Sequence, residues 1–269
     1  MHNRATLLAG ICGLVLSASA LQPAMAAAPM GFAGTFGAGY GSSSCDGCDS
    51  TDLWNINGSG AFGFGPNVGG EIDASYNNVS GSGFDVNIWG VGGSIFWAPG
   101  MFRAGGTVQY AGFSESGFDF STFSYGAFGE FFAGDFITLA AKGGGLTVDV
   151  DTFGSESGGY VGAALIGYIL PNLAITPSID FASISDVDVT NYGIGAEFLV
   201  SQTVPISIFA AYSHSNVSVS GFGDVDGDTW MIGLKFYTNG NGVTLVERQR
   251  NGTLGWAGSS NFNSIFQAF

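Results

Sequence analysis

Eight charged side chains of this chain stand at alternate positions within apolar segments, and they are the residues best placed to do chemistry. Side chains two residues apart on a β-strand point to the same face, so this spacing would gather the charges on one face of a sheet. Pairing two neighbouring segments through Tyr110 and Phe123 sets Arg103 directly opposite Glu130. A charged face could form a constriction that selects ions, or it could form salt bridges that merely fill an interior, and the sequence favours neither. The eight residues are Glu71, Asp73, Arg103, Glu130, Lys142, Asp180, Glu197 and Lys235.

The composition narrows the class of protein that could position such a face. Of 269 residues, 46% are hydrophobic, 14% are aromatic and only 10% are charged, and 46 residues are glycine. This apolar content excludes a disordered chain, and glycine at this frequency disfavours a helix-rich protein because it is costly inside helices. The net charge of -15 argues against a nucleic-acid partner, whose phosphates require a basic surface. An apolar chain with so few charges is typical of a membrane protein.

The first 26 residues have the pattern of a signal peptide. Arg4 supplies the positive start, residues 7–21 are mostly apolar, and Ala24-Met25-Ala26 is a small-x-small cleavage site. Beyond this segment the longest apolar run is well short of the ~20 residues that a membrane-spanning helix requires. An exported apolar chain without such a helix can satisfy its backbone in lipid only as a closed β-barrel.

Aromatic or large apolar residues recur eight positions apart, which predicts strands that cross a membrane. Eight steps of ~3.3 Å along a tilted strand span roughly 20 Å. That length is close to the ~25 Å apolar band of a transmembrane barrel, which carries an aromatic girdle at each interface. The pairs are Phe32 and Tyr40, Trp54 and Phe62, Trp89 and Trp97, Phe102 and Tyr110, Phe123 and Phe131, Tyr160 and Tyr168, Leu173 and Phe181, and Val204 and Tyr212.

The connections between these segments are of two alternating kinds. Tight turns such as Gly65-Pro66-Asn67 alternate with acidic, Ser/Gly-rich stretches such as residues 42–51 and 216–228. Short turns belong on the periplasmic side of a barrel and longer loops on the outer side. We therefore predict an all-β, antiparallel, up-and-down transmembrane barrel of about twelve strands over residues 27–238. Residues 239–269 are expected to form a periplasmic tail or, alternatively, extra strands.

Two short motifs outside the strands could also carry chemistry. Cys45 and Cys48 form a C-x-x-C pair, which in an exported protein predicts a local disulfide in an outer loop rather than a metal site. The run from Asp224 to Asp228 begins like a calcium-binding loop but lacks the distal glutamate of that motif, which favours a solvated acidic tip. We expect no metal site and no cofactor.

The signal peptide, the twelve alternating strands, the paired girdles and the terminal Phe269 resemble the porin-like outer-membrane β-barrels of Gram-negative bacteria. This resemblance implies a location in the outer membrane, reached through the signal peptide, and contact with outer-membrane lipid. It also implies insertion by the barrel assembly machinery and small ions or solutes as partners.

His214-Ser215-Asn216 resembles the active-site residues of outer-membrane lipid hydrolases, which carry His and Ser near an outer strand end. Here the two residues are adjacent, so on a regular strand they point to opposite faces. We therefore expect that the protein is not an enzyme.

The sequence favours a narrow passive pore for small hydrophilic solutes. A weak cation preference is expected because acidic outer segments raise the local cation concentration. A non-conducting structural or surface-interaction barrel shares every feature of the strands and stays open as the alternative. A lipid hydrolase that uses His214 is a distant third.

Overall fold

The computed structural model is a closed antiparallel β-barrel of twelve strands, as the sequence predicts. Each strand pairs with its neighbours in the chain, and β1 pairs with β12 to close the sheet. The structure describes residues 31–45, 50–81, 84–115, 118–150, 154–201, 203–221, 223–238 and 244–257. The expected signal peptide, residues 1–26, lies outside these ranges. The strands are β1 (Phe32–Cys45), β2 (Thr51–Gly63), β3 (Val68–Gly81), β4 (Phe84–Trp97), β5 (Phe102–Glu115), β6 (Phe118–Ala133), β7 (Ile137–Val150), β8 (Gly154–Leu170), β9 (Leu173–Ile184), β10 (Val187–Leu199), β11 (Ile206–Val219) and β12 (Gly223–Tyr237).

Two short helical elements follow the barrel, namely α1 (Leu245–Arg250) and a 3-10 turn (Gly255–Ala257). Within the described ranges, no helix has the length and apolar character needed to cross a membrane.

The outward face of the barrel is apolar and carries an aromatic girdle near each end. In one girdle, Tyr40 of β1 stands opposite Trp54 of β2. Tyr40 also contacts Trp230 of β12, and the centroids of these two rings are 6.5 Å apart. Tyrosine and tryptophan at a membrane interface place a polar group toward water and a ring toward lipid. Tyr40 shows this arrangement, because its hydroxyl donates a hydrogen bond to Asp52 at 2.7 Å. The girdle comprises Tyr40, Trp54, Tyr76, Trp89, Tyr110, Phe123, Tyr212 and Trp230, and the opposite girdle comprises Phe32, Phe62, Trp97, Phe102, Phe131, Phe198 and Phe236.

Strand β8 departs from the predicted girdle pattern. Tyr160 and Tyr168 were expected on the lipid face, but both are buried inside the barrel, whereas Val161 and Ile169 point outward. The physical reason is that both faces of β8 are apolar, so its hydropathy does not distinguish the two parities. Inside the barrel, the Tyr168 hydroxyl donates a hydrogen bond to Gln249 at 2.8 Å.

The connections at the two ends of the barrel differ less than the sequence suggests. At the turn end the connections are residues 64–67, 98–101, 134–136, 171–172 and 200–205; the other end, which we call the acidic end, carries connections that are equally short. Most of the expected loop 216–228 belongs to β11 and β12, and only residues 185–186 join β9 to β10. A segment that is rich in serine, aspartate and glycine has the composition of a loop. Beyond the lipid, however, both faces of a paired ribbon are solvated, so such residues can continue the strands.

Candidate functional site in the barrel interior

Residues 244–257, which we call the C-terminal plug, lie inside the barrel at the turn end. We expected this part of the chain to be a periplasmic tail or extra strands, and the described portion instead occupies the interior. Helix α1 begins with a capping box, in which Thr244 Oγ1 accepts from the Glu247 amide at 3.2 Å and Glu247 Oε2 accepts from the Thr244 amide at 2.9 Å. This reciprocal pairing satisfies amides that a helix end leaves open, so it stabilises so short a helix.

Apolar side chains fix the two ends of the plug to different walls. Leu245 and Val246 are buried in a cluster with Tyr168, Leu199 and Tyr237. Further along the plug, Leu254 packs among Phe96, Ala98, Phe128 and Phe132, which project inward from β4, β6 and the turn after β4. Burial of a leucine side chain contributes ~1.5–3 kcal/mol. The plug is therefore held by hydrophobic contacts as well as by hydrogen bonds.

Arg250 anchors the plug to the turn between β6 and β7. Its guanidinium donates to the Gly134 carbonyl at 2.6 Å, to the Ile137 carbonyl at 2.7 Å and to Thr138 Oγ1 at 3.2 Å. The group stacks over the ring of Phe132, 5.0 Å from its centroid. Burial lowers the pKa of Arg250 from its usual value, because an apolar environment disfavours the charged form. The three acceptors compensate for this cost.

All eight charged residues that the sequence analysis singled out face the interior. Arg103 pairs with Glu130 across adjacent strands, in the register that the sequence predicts, and its Nε lies 2.5 Å from Glu130 Oε2. Glu71 accepts from the Leu254 amide at 2.6 Å and so joins the wall to the plug. Asp73 is buried two residues further along β3.

The other two cations each reach an acid two strands away. Lys142 on β7 stands opposite Gly162 on β8, and Gly162 stands opposite Asp180 on β9. The distance from Lys142 Nζ to Asp180 Oδ1 is 3.5 Å. A Cβ atom at Gly162 would come within 2.1 Å of Asp180 Oδ1, so the missing side chain makes room for the pair. Lys235 Nζ similarly lies 2.9 Å from Glu197 Oε2.

Glu197 is a carboxylate that accepts hydrogen bonds from several interior side chains. Besides Lys235, it accepts from Ser207 at 2.6 Å, from Gln249 of the plug at 3.2 Å and from the Tyr237 hydroxyl. Each basic group of the interior strands therefore has an acidic partner. The arrangement is a charged layer of mixed sign rather than a ring of one sign, with five acids and three basic residues on the strands and further arginines on the plug.

Amide and hydroxyl side chains form a second layer on the acidic side of the charged layer. Asn57 donates to Asn55 at 2.6 Å, and Asn55 donates to Asn77 at 2.6 Å, which makes an amide ladder across β2 and β3. These side chains border a cavity of about 370 Å³, which we call the polar chamber. Its uncharged lining includes Thr35, Asn55, Asn57, Ser59, Asn77, Thr176, Ser178, Asn191, Gly195, Phe209, Ser213, Thr229, Met231, Thr253, Leu254 and Trp256. Charged side chains also line it, namely Glu71, Arg103, Glu130, Asp180, Glu197, Lys235 and Arg250. Residues of the C-terminal plug border the chamber on the side of the turn end.

Near the acidic end, the inward side chains of β7 to β11 become apolar. Leu146, Tyr160, Ala182, Val189 and Val217 form one buried cluster. The interior thus changes along the barrel axis from a charged layer with the plug, through the polar chamber, to this apolar cluster. Such a series can hold and orient a small polar molecule.

The remaining candidate sites lie at the acidic end. His214 is on the outward face, with Nδ1 3.0 Å from Asp228 Oδ1 and Nε2 3.9 Å from Asp226 Oδ1. Ser215 points inward and donates to Asn191 at 3.1 Å. His214 and Ser215 therefore occupy opposite faces of β11 and do not form a nucleophile–base pair.

The two cysteines and the acidic run give no metal site in the part of the chain that the structure describes. Cys45 ends β1 and is disulfide-bonded, and Cys48, its expected partner, lies outside the described residues. No group of three or more His, Cys, Asp or Glu side chains among the described residues is arranged to hold a metal ion.

Sequence reasoning missed the interior residues that belong to the plug and the amide ladder. A capping box from Thr244 to Glu247 indicates a helix start, but nothing in the sequence says where that helix docks. The asparagines at positions 55, 57 and 77 have the same parity as other inward residues of β2 and β3, and this parity could have identified them.

Comparison with known proteins finds structural similarity alone. No protein-family model matches the chain, and no curated protein matches it. One similar solved structure is a KdgM porin in complex with disordered oligogalacturonate (TM-score 0.48, 12% identity, 74% of this chain and 98% of that chain). Another is the translocator domain of autotransporter NalP from Neisseria meningitidis (TM-score 0.48, 11% identity, 86% and 95%). A third is an anion-selective porin from Comamonas acidovorans (TM-score 0.44, 8% identity, 77% and 98%).

These similarities are too weak to assign a solute, and the class of the protein follows from its own geometry. A closed barrel of twelve strands, with an apolar outward face, two aromatic girdles and a polar interior, has the architecture of porin-like outer-membrane β-barrels.

Proposed function

We propose that this chain forms a narrow outer-membrane pore for small hydrophilic solutes, with its C-terminal plug restricting the turn end. The observation that carries the proposal is the polar chamber of about 370 Å³, lined by amides, hydroxyls and charged side chains inside a barrel with an apolar outward face. A barrel that served only as a structural wall could fill its interior with apolar side chains at lower cost, because buried polar groups require partners. A hydrophilic interior is what a permeating solute requires in place of its water.

A weak cation preference is part of the proposal, and the acidic end is its source. The charged layer contains both acids and cations, so it is not a selective ring of one sign. Acidic side chains instead concentrate at the ends of the strands, where Asp186, Asp188, Asp224, Asp226 and Asp228 are found. Their field raises the local cation concentration over about one Debye length, ~8 Å at physiological salt. This preference should weaken as salt increases.

The orientation and the surroundings are proposed with the function. The turn end faces the periplasm and the acidic end faces outward. At the acidic end, polar residues continue the strands beyond the girdle, and the longer polar segments of such barrels are extracellular. Outer-membrane lipid contacts the two girdles, and the barrel assembly machinery inserts the chain after export through its signal peptide.

Single-channel recording in planar bilayers tests the proposal. The full chain should give small, steady conductance, and a variant that ends at Thr238 should give a clearly larger one, because removal of residues 239–269 takes the plug from the interior. Asn251→Ala is a matched control, because Asn251 is an exposed residue of the plug and its loss should leave the conductance unchanged. The shift of gel mobility on heating reports whether each variant has folded. Absence of conductance in both folded proteins would contradict the pore.

A non-conducting structural or surface-interaction barrel is the second candidate. It is favoured by the plug, which occupies the turn end, together with the apolar cluster inside the acidic end. The same recording decides between the two. We propose no enzymatic activity for the chain, since the serine beside His214 faces the interior.

A further inference from the structure

The polar chamber has a composition that a simple water path does not require. Its walls present groups that both donate and accept hydrogen bonds, on opposite sides of the barrel. Asn55 and Asn77 lie on β2 and β3, whereas Ser178 and Asp180 lie on β9. In a ring of twelve strands, β3 and β9 are six strands apart and face each other across the interior. A molecule in the chamber would therefore meet hydrogen-bonding groups on two facing walls.

Most of the charges around the chamber are already paired, which argues against a charged ligand. Arg103 is paired with Glu130, Lys235 with Glu197 and Lys142 with Asp180. Arg250 is held by two carbonyls and a hydroxyl. Glu71 and Arg250, which also line the chamber, are of opposite sign and together add no net charge. An ion that entered the chamber would therefore lose its hydration without meeting a net countercharge, and that loss is costly in a protein interior.

Some polar side chains of the chamber wall are only partly buried and can contact a molecule inside it. Asn57 and Ser59 lie on β2, and Thr176 and Ser178 lie on β9. Amides and hydroxyls both donate and accept hydrogen bonds. A ligand that carries hydroxyl groups can therefore bind to either wall.

Apolar side chains complete the chamber beside these polar walls. Phe209 and Met231 lie along one side, and Leu254 and Trp256 of the plug lie at the turn end. Small-molecule sites typically have volumes of ~300–1,000 Å³ and combine an apolar surface with a few polar groups that fix orientation. A ring with hydroxyls on its edge and C–H groups on its faces matches both kinds of wall.

From this arrangement we infer that the polar chamber is a binding site for a neutral, polyhydroxylated solute of monosaccharide size. The hydroxyls of the solute bind Asn57 and Ser178 on opposite walls, and its apolar face contacts Phe209 and Trp256. The inference rests on the proposed pore only for access from the acidic end. Binding is measured without conduction, so the failure of one proposal is distinguishable from the failure of the other.

The test is binding of three matched probes to the full chain, in a detergent that contains no sugar. Glucose, glucuronate and glucosamine share one ring and differ in charge, and ligand-observed NMR reports their binding at millimolar concentrations. We expect glucose to bind, with both charged probes about tenfold weaker. Binding of none of the three would overturn the inference. Glucosamine or glucuronate binding as well as glucose would also overturn it, because the site would not then be selective for a neutral solute.

A pair of glycine substitutions locates the site. Gly195 lines the chamber, and a Cβ atom there would meet only the backbone oxygens of Ala210 and Thr176, at 3.9 and 4.0 Å. Gly195→Leu should therefore fold and fill the chamber, and glucose binding should fall at least about tenfold, which corresponds to 1.4 kcal/mol. Gly129→Leu is the control, because Gly129 is on the lipid face with nothing within 4 Å of its Cβ position. Equal glucose binding by the two folded variants would place the site elsewhere and refute the inference.

Discussion

Replacement of Arg250 by alanine should release the C-terminal plug from the barrel. The guanidinium makes three hydrogen bonds, to the Gly134 and Ile137 carbonyls and to Thr138 Oγ1. Hydrogen bonds to charged groups contribute ~1.5–3 kcal/mol each. The three are not additive, and the acceptors near the turn regain water when the plug leaves, so we take ~3 kcal/mol as the loss of docking free energy. Since each 1.36 kcal/mol is a factor of ten, the population of the undocked plug should rise by about 100-fold.

Limited proteolysis with trypsin measures that population through cleavage after Arg248. The rate of cleavage follows the open population when reclosing is faster than cutting. Arg248 is buried in the docked plug, so the parent protein should be cut slowly and Arg250→Ala about 100-fold faster. Asn251→Ala, which changes an exposed residue of the same segment, should be cut at the parent rate. Equal rates for the two variants would refute the argument that Arg250 holds the plug.

Three further predictions concern the barrel interior. Reversal of either charge of the Arg103–Glu130 pair should lower stability by ~3–5 kcal/mol, seen as a lower temperature for loss of fast gel mobility, and the double reversal should recover part of it; additive losses would contradict the pairing. Gly162→Ala should lower the temperature for loss of fast gel mobility, because its Cβ would lie 2.1 Å from Asp180 Oδ1. Gly167→Ala should not lower it, because the atom nearest to its Cβ would be 3.7 Å away. Equal effects would contradict the role given to Gly162. Cation selectivity in a salt gradient should fade as ionic strength increases, and salt-independent selectivity would place its source in the interior.

The strand faces could be predicted from the sequence wherever lipid excludes charge. Arg103 and Lys142 each lie on a strand whose opposite face is apolar. A lysine or arginine that faces lipid costs ~2–4 kcal/mol at the membrane midplane. That energy determines which side of the strand is interior. Strand β8 carries no comparable charge in its central part, so its apolar residues gave the wrong face for Tyr160 and Tyr168.

The interior itself was less predictable because it depends on contacts between distant parts of the chain. Residues 245–250 form a helix of six residues, and a helix this short has little stability of its own in water. Its position is set by tertiary contacts such as that of the Leu254 amide with Glu71, residues that are 183 positions apart. Local pattern can therefore indicate that a helix begins at Thr244 but not that it enters the barrel.

The position of the plug at the end of the chain constrains the order in which the protein folds. Its docking site is built from both margins of the sheet, since Tyr237 of β12 packs beside Leu245 and Thr35 of β1 contacts Thr253. These two margins meet only at the seam where β1 pairs with β12. The complete surface that receives the plug therefore exists only when the seam is closed, so we expect docking to be completed after the barrel has closed. We therefore expect a newly inserted barrel to pass through a state in which the turn end is open.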